Sequence, residues 1–381
     1  MSCLRFLTAG ESHGAALTAI LEGLPAGLKI DQNNIDRELK RRQMGYGRGG
    51  RMKIERDKAR ILSGLRFGET VGSPISVEVV NRDWENWEER MAPFGEPAGE
   101  MLTTPRPGHA DLPGGQKYGR RDLRDILERS SARETTMRVA VGAICKEFLR
   151  SLGIEIFSRV LNIGGVRADV AKISVPSESE LNCADPIAEE NMKQRIDEAK
   201  AKGDTLGGSF EIRIAGVMPG LGSHIQWDGR LDAKLAAALM SIQAIKSVEI
   251  GAGCEVADLP GSQIHDEILR DGTGRIYRAT NRAGGIEGGM SNGEDIILRA
   301  AMKPIPTLMR PLKTIDLATN EVASAAKERS DTCAVAAASV VGEAMAAIVV
   351  AGACREKFGG DTMADALNAV KDYRRRLNGE D

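Results

Sequence analysis

The stretch AVAAASVVGEAMAAIVVAGAC, Ala334 to Cys354, decides how the chain is to be read. It approaches the roughly 20 apolar residues that cross a bilayer. Yet it is mostly alanine and valine, it carries Glu343 in its middle, and no second run of this kind flanks it. It is therefore read as a helix, Ala334–Phe358, buried in the core of a large soluble protein rather than in lipid. The N-terminal MSCLRFLTAGESHG has too short an apolar run for a signal peptide.

By length, 381 residues are enough for about two or three domains or one large one. No Pro/Ser-rich linker or low-complexity tract interrupts the chain, so residues 1–381 are expected to form one compact unit. A net charge of −2 gives no global field for nucleic acid, and 4% aromatic residues leave little to stack on bases. The six cysteines show no metal-ligand spacing and read as reduced, buried thiols of a cytosolic protein, with no metal site.

Residues 4–9, Pro74–Val80, the runs IFSRVLNIGGV and SFEIRIAGV, and DIILRAAMKPIP have strand character; Pro304 and Pro306 end the last. Helices are predicted over Asp31–Arg42 with Asp31 as N-cap, Arg121–Leu152, Ser177–Lys202, Leu231–Lys246 and from Met363 onward. Residues around Trp84–Gly99 read as loop. Periodicity alone gives a mixture of α and β. A faint echo also runs through the chain. Glu128-Arg129-Ser130-Ser131 lies early in one long helix and Glu328-Arg329-Ser330-Asp331 precedes another. SGLRFGETVGSPISV and AGGIEGGMSNGEDIIL each lead into a strand. The echo suggests a worn duplication with two halves facing each other.

Charge is unevenly spread. Ten Lys/Arg against three Asp/Glu lie between Arg37 and Arg60, and seven against four between Lys117 and Arg138. Arginine dominates, and its planar fork suits carboxylate and phosphate. With the Gly-rich loops, the two clusters suggest a pocket for a small polyanion. Of four histidines, His13 in AGESHG and His109 in RPGHADLPGG sit in Gly-flanked loops, which suits acid/base work near neutrality. His224 and His265 read as structural. Glu11 and Ser12 adjoin His13, but no Gly-x-Ser-x-Gly elbow is present. No Walker A and no strand-linked GxGxxG occurs, and GYGRGG matches a phosphate loop only loosely. KPIPT, Lys303–Thr307, offers a cation, stiff backbone and a hydroxyl.

Taken in order, TAGESHGAAL, RRQMGYGRGGRMKIE, GSPISV, RPGHADLPGGQKYG, DILERSSARETTMRVAVGAI, GSQIHDE, AGGIEGGMSNGEDI, KPIPT and RSDTCAV resemble the chorismate synthase family, from residue 4 to about 358. Two positions depart from the usual pattern: Ala336 stands where proline is usual and Arg282 where asparagine is common. The resemblance implies an α+β fold, a β-α-β sandwich with long central helices between antiparallel sheets, assembled as a cytoplasmic homotetramer. It implies a lyase reaction of the shikimate pathway to aromatic amino acids, a 1,4-anti elimination of phosphate from 5-enolpyruvylshikimate 3-phosphate that requires reduced FMN.

By motif match, His13 protonates the leaving phosphate, His109 faces the flavin, and Asp331 acts near the flavin nitrogen that takes the hydrogen. Ser12, Arg42, Arg48, Arg51, Arg106 and Arg133 hold the substrate. Arg129, Ser130, Ser131, Gln243, Ala244, Gly288, Lys303, Pro304, Ile305, Pro306, Thr307 and Arg329 hold FMN. In some members the positions of Arg42 and Arg48 serve NADPH, so NADPH stands as a reductant beside a separate flavin reductase. A flavin-independent phosphate-handling transferase and an RNA-binding protein using the Arg/Gly loop are the rival readings.

Overall fold

The computed structural model describes residues 4–49, 56–175, 178–272, 274, 276–328 and 330–379. Nine strands make two antiparallel sheets. The first holds β1 (Arg5–Ala9), β2 (Ala16–Glu22), β3 (Arg60–Ile61) and β4 (Ile75–Val80), in the order β1-β2-β4-β3. The second holds β5 (Glu155–Ile163), β6 (Val166–Arg167), β7 (Gly208–Ala215), β8 (Ile245–Ile250) and β9 (Ile296–Met302), in the order β8-β9-β7-β5-β6. The longer helices are α1 (Gln32–Gln43), α2 (Asp111–Tyr118), α3 (Arg124–Ser130), α4 (Thr135–Ser151), α5 (Pro186–Ala201), α6 (Leu231–Met240), α7 (Val335–Phe358) and α8 (Met363–Leu377).

The sheets sandwich a helical layer. Leu17, Ala19 and Leu21 of β2 and Ile75, Val77 and Val79 of β4 alternate inward onto α4. Phe210, Ile212 and Ile214 of β7 face α7, and Ile296, Leu298 and Ala300 of β9, paired with them, are buried on the same face of the sheet. Helices α1 and α6 flank this central pair, and the buried apolar side chains of both layers form one continuous cluster.

The alanines of α7 answer to this geometry. The helix is covered on both sides, so it needs small residues. A Cβ on Gly342 would come within 2.7 Å of Ile212 and 2.8 Å of Phe210. On the opposite helix, a Cβ on Gly142 of α4 would come within 2.4 Å of the Ala344 Cβ. Contacts under about 3 Å do not fit in a close-packed interior, so the two central helices meet backbone to backbone.

Strand order carries the duplication. Reading each half in chain order, β1, β2, α1, β3, β4 and α4 match β5, β7, α6, β8, β9 and α7. The sheet order β1-β2-β4-β3 becomes β5-β7-β9-β8. The small hairpin Leu65–Arg66/Glu69–Thr70 precedes β4 as the hairpin Ile286–Glu287/Met290–Ser291 precedes β9. These are the two Gly/Ser stretches that resemble one another in sequence.

Several expected boundaries are corrected. Arg121–Leu152 is not one helix: Ser131 is extended (ψ 141°) and its hydroxyl caps a short 3-10 turn, separating α3 from α4. The break places Glu128–Ser131 just ahead of α4, as Glu328–Asp331 lies ahead of α7. The polar Ser177–Lys202 segment is helical only from Pro186, where Asp185 caps the chain. Leu231–Lys246 ends as helix at Met240, because Ala244 takes a left-handed conformation (φ 67°) and β8 begins at Ile245. Asp31 does cap α1, accepting from the Asn33 N–H at 2.9 Å. Among the described cysteines Cys254 is exposed, contrary to expectation, while Cys145, Cys183, Cys333 and Cys354 are buried.

Glu343, fully buried, is met from three elements. Arg41 of α1 donates to both of its oxygens at 2.7 and 2.8 Å, the Ser158 hydroxyl of β5 donates at 2.6 Å, and Lys146 of α4 bonds it closely. Lys146 and Arg41 also bind Glu38 of α1, at 2.5 and 2.9 Å. Burial alone would raise the Glu343 carboxyl; Lys146 and Arg41 outweigh it and bring it down to about 2 from an ordinary 4.5. A carboxyl depressed by folding contributes its full stability above about pH 4.5 and loses it as pH falls toward about 2. Glu343→Gln should therefore cost on the order of 3 kcal/mol at pH 7, by leaving buried Lys146 and half-buried Arg41 under-compensated. It should also flatten the acid limb of stability between those pH values. Denaturant titrations from pH 7 to pH 2 check this; a variant as stable as the parent at pH 7 would refute it.

Candidate functional site

The starts of α4 and α7 open onto one cavity of about 700 Å³. Ala132, Arg133 and Thr135 line it from one helix, and Ala334, Ala337 and Ala338 from the other. Free backbone N–H groups at helix starts favour anions.

One end is built by the β1–β2 connection. Asn81 Nδ2 donates to the Glu11 and Gly14 carbonyls at 3.2 and 2.7 Å, which fixes the loop carrying Ser12 and His13. His13 Nδ1 lies 2.9 and 3.0 Å from the two Glu128 oxygens, and the His13 N–H donates to Glu128 at 2.7 Å. Burial would raise Glu128, but the His13 and Arg124 contacts hold it below the ordinary carboxylate range. An ionised carboxylate only accepts, so Nδ1 carries the proton that faces Glu128. Trp87 stacks on the imidazole with ring centres 4.0 Å apart.

At the other histidine, His109 Nδ1 lies 2.6 Å from Asp111 Oδ1. Arg106 Nε donates to Asp111 Oδ2 at 2.8 Å, and Arg106 Nη1 to the Thr307 hydroxyl at 2.9 Å. Arg106 Nη2 is 3.0 and 3.3 Å from the two ring nitrogens of His109. Burial pushes the Asp111 carboxyl up, and hydrogen bonds from His109 and Arg106 overcome it, holding the group well below its usual range. The same logic fixes the His109 proton on Nδ1.

The cations between them are individually braced. Arg133 Nη1 donates to both Asp57 oxygens at 2.7 Å, and its Nε to Asn81 Oδ1 at 3.0 Å. Arg42 donates to the Thr135 hydroxyl and the Ala132 carbonyl at 2.9 and 2.8 Å. Its Nη1, 3.6 Å from Asp57, is buried without a hydrogen bond among the described residues. Burial, resisted by Asp57 and reinforced by Arg133 and Arg48, pushes the Arg42 guanidinium down to about 9, so it stays cationic at neutrality. Arg48 Nη1 pairs with Asp331 Oδ2 at 2.9 Å, and the Gly49 N–H donates to Asp331 Oδ1 at 2.6 Å.

A third wall comes from the α6–β8 turn and the end of β9. The Lys303 N–H donates to the Ala244 carbonyl at 2.9 Å, joining the two segments. Gln243 Nε2 donates to Glu134 at 3.3 Å, while Gln243 Oε1 is buried without a partner among the described residues. Lys303 binds the Gly108 carbonyl, and burial together with the neighbouring Lys246 lowers its ammonium.

The cavity thus gathers Ser12, His13, Arg42, Arg48, Arg106 and His109, then Ser130, Ser131, Arg133 and Asp331. Gln243, Ala244, Lys303, Ile305, Pro306 and Thr307 complete the expected set. It does not gather Arg129, Gly288 or Pro304. Arg129 is exposed and donates to the Thr8 and Gly10 carbonyls at 2.9 and 3.0 Å; Gly288 sits in an exposed hairpin turn. Arg51 and Arg329 lie outside the described residues. His224 and His265 are exposed and apart from the cavity. Among the described residues, no group of His, Cys, Asp and Glu is placed to hold a metal.

Sequence reading missed the groups behind the histidines. Asp111 stood two residues past His109, and Glu128 stood in the repeated Glu-Arg-Ser. Trp87 was one of only three tryptophans. Asp57 and Asn81 gave no local signal, since their partner Arg133 is 76 and 52 residues away.

Comparison with known proteins follows this geometry. The family model described as chorismate synthase matches residues 4–354. The chorismate synthase of Pelobacter propionicus is 57% identical over 98% of this chain and 99% of its own. That of Aquifex aeolicus is 56% identical over 97% of each. A solved structure titled crystal structure of chorismate synthase superposes with a TM-score of 0.79 at 46% identity, over 99% of this chain and 98% of that one.

Asp111 is fully buried and carries both Arg106 and His109. Asp111→Asn should lower stability by about 2–4 kcal/mol, because the Arg106 guanidinium is left buried without its counter-ion. Thermal and denaturant unfolding at pH 7 test it; a loss under about 0.5 kcal/mol would mean the cluster is not held by charge.

Proposed function

Because the chain belongs to the chorismate synthase family, we propose that the cavity at the starts of α4 and α7 is where its reaction takes place. The chain is a carbon–oxygen lyase acting on a phosphate ester. It converts 5-enolpyruvylshikimate 3-phosphate to chorismate, and its family works with a reduced flavin. The observation that carries the siting is the meeting of two carboxylate-backed histidines and four arginines, Arg42, Arg48, Arg106 and Arg133, around one cavity.

On this reading the flavin is FMN. Gln243 Oε1 offers an acceptor to the N–H at the edge of its ring, Ser130, Ser131 and the Lys303–Thr307 segment hold the rest, and Lys303 with Lys246 draws in its phosphate. Held there by these residues, a reduced FMN would supply electron density to ease departure of phosphate and would take up the ring hydrogen. Arg42 Nη1, without an acceptor among the described residues, receives a substrate anion. His13 delivers a proton from Nε2 to the leaving phosphate, a step that starts with both ring nitrogens protonated and ends with the Nδ1 proton still held by Glu128. His109 Nε2 serves the flavin, with Asp111 as its brace.

Arg48 has two duties, as substrate cation and as counter-ion of Asp331. A substrate carboxylate or phosphate that takes Arg48 leaves Asp331 to accept a proton at the flavin. Arg129 and Gly288, exposed on a single chain, reach the cofactor through contact between chains of a cytoplasmic homotetramer. NADPH at Arg42 and Arg48, or a separate flavin reductase, supplies the reducing equivalents.

An anaerobic assay with photoreduced FMN and 5-enolpyruvylshikimate 3-phosphate should yield chorismate. ATP turnover without chorismate would overturn the lyase reading in favour of a transferase. Comparing aerobic and anaerobic assays with NADPH and oxidised FMN separates self-reduction from dependence on a reductase. His109→Ala should lower kcat by roughly two to four orders of magnitude with circular dichroism unchanged; activity within a few-fold of the parent would remove its acid/base role. Arg48→Ala should raise KM for the substrate about ten-fold or more, the equivalent of one lost charge-assisted contact. An unchanged KM would count against Arg48 as an anion ligand.

A further inference from the structure

We propose that Arg124 is a positioning residue that couples the two ends of the cavity, fixing the orientation of His13 from behind and anchoring the segment that carries Asp331. The proposal deepens the reading of His13 and Asp331 given above and rests on it.

Glu128 and Glu328 stand at matched places, three residues before Ser131 and Asp331, ahead of α4 and α7 respectively. The two carboxylates converge on one guanidinium. Arg124 Nη1 donates to Glu128 Oε1 at 3.2 Å and Nη2 donates to Glu328 Oε1 at 2.8 Å. The Arg124 side chain is 8% exposed and the Glu128 side chain 1%, so solvent does little to screen their contact. The guanidinium also lies 5.2 Å from the Trp87 ring centre, on the indole that stacks against His13. Arg124 therefore acts on the imidazole twice, through the carboxylate at its edge and through the ring on its face. Its own N–H is fixed by Asp122 Oδ1 at 2.9 Å, so the side chain starts from a pinned backbone.

The charged and titratable groups around this cluster are His13, Glu128, Glu328, Arg124 and Asp122. Asp83 accepts from the Trp87 indole N–H at 3.3 Å, and Arg90 lies 5.6 Å from the Trp87 ring centre. Arg124 is the cation in hydrogen-bond contact with both glutamates. Two carboxylates facing each other without it would repel, and Glu328 would have no reason to stay beside the cavity. Arg124 itself does not line the cavity, so its effect on the reaction must pass through the residues it holds.

The test uses the full chain. In Arg124→Gln, kcat should fall roughly 10- to 100-fold, the usual cost of loosening the group behind a functional histidine, with substrate KM within about three-fold. Arg124→Lys should recover part of kcat, since it keeps the charge but not the fork. In the flavin-free protein, 15N NMR of labelled histidine should show the Nδ1-protonated form of His13 in the parent. That form should be lost or mixed in Arg124→Gln, with the signals of His109, His224 and His265 unmoved as internal controls. Signals of His13 identical to the parent, or kcat and KM both unchanged, would overturn the proposal; so would a loss of activity with all four histidines shifted, which marks general destabilisation. If Arg124→Gln does not fold, the same readouts on Arg124→Lys decide, a shifted His13 alone supporting the proposal. Because the NMR arm needs neither flavin nor turnover, it reads the coupling even if His13→Ala proves active and the catalytic reading of His13 falls.

Discussion

A single carboxylate in the middle of the most apolar helix sets the arrangement of the helical layer. Glu343 cannot be buried alone, because an uncompensated charge in a protein interior costs several kcal/mol. It must meet Arg41, Lys146 and Ser158 together, and these come from α1, α4 and β5. One contact set thereby fixes how three elements stand around α7. A purely apolar contact between smooth, alanine-rich surfaces would permit sliding; a buried ion network with directed hydrogen bonds does not. The consequence for chemistry is immediate, since Arg41 and Arg42 are neighbours on α1. With Arg41 bound to Glu343, Arg42 points to the start of α4 and into the cavity.

What was legible in the sequence followed from local rules. The Ala/Val run, Asp31 as a cap and the alternating strands report their own neighbourhood, and each has the structure its pattern predicts. Two of the boundaries that failed involve distant partners, whereas the start of α5 at Pro186 is set locally by the Asp185 cap. Ser131 breaks the Arg121–Leu152 run because Arg129 is drawn onto the Thr8 and Gly10 carbonyls while Arg133 is drawn into Asp57, on opposite sides. Ala244 takes a left-handed backbone because its carbonyl is needed by the Lys303 N–H, and nothing in the flanking residues announces that. The candidate site divides the same way. Its cations and histidines were visible from residue type, and Glu128 was marked by the repeated Glu-Arg-Ser, whereas Asp57 and Asn81 became identifiable only when the fold brought Arg133 to them.

The duplication explains why the site lies where it does. Two matched halves bring the starts of their central helices, α4 and α7, to a common place, and each start is preceded by a Glu-Arg-Ser run. Symmetry of that kind would give two equal half-sites. The halves have diverged at the position that follows the run, Ser131 in one and Asp331 in the other. Ser131 is spent on capping a turn, while Asp331 pairs with Arg48. His13 has no counterpart in the second half, where the β5–β7 connection holds α5 instead of a tight loop. A symmetric frame thus supports an asymmetric set of functional groups, as a reaction requires when one face of a substrate loses phosphate and the other loses hydrogen.

The ion pairs around the cavity differ in how readily they can be exchanged. Arg133 and Asp57 are 3% and 0% exposed, so parting them would strand two charges away from water. Arg48 and Asp331 are 11% and 20% exposed and sit at the cavity wall, where an incoming anion can replace the carboxylate as fast as it leaves. On the proposed reading, the first pair keeps the cavity's shape whatever is bound, and the second is the one that responds. Binding energy from a substrate carboxylate or phosphate then goes into separating Arg48 from Asp331. On that reading Asp331 Oδ2 is released from Arg48 only once a polyanion is in place.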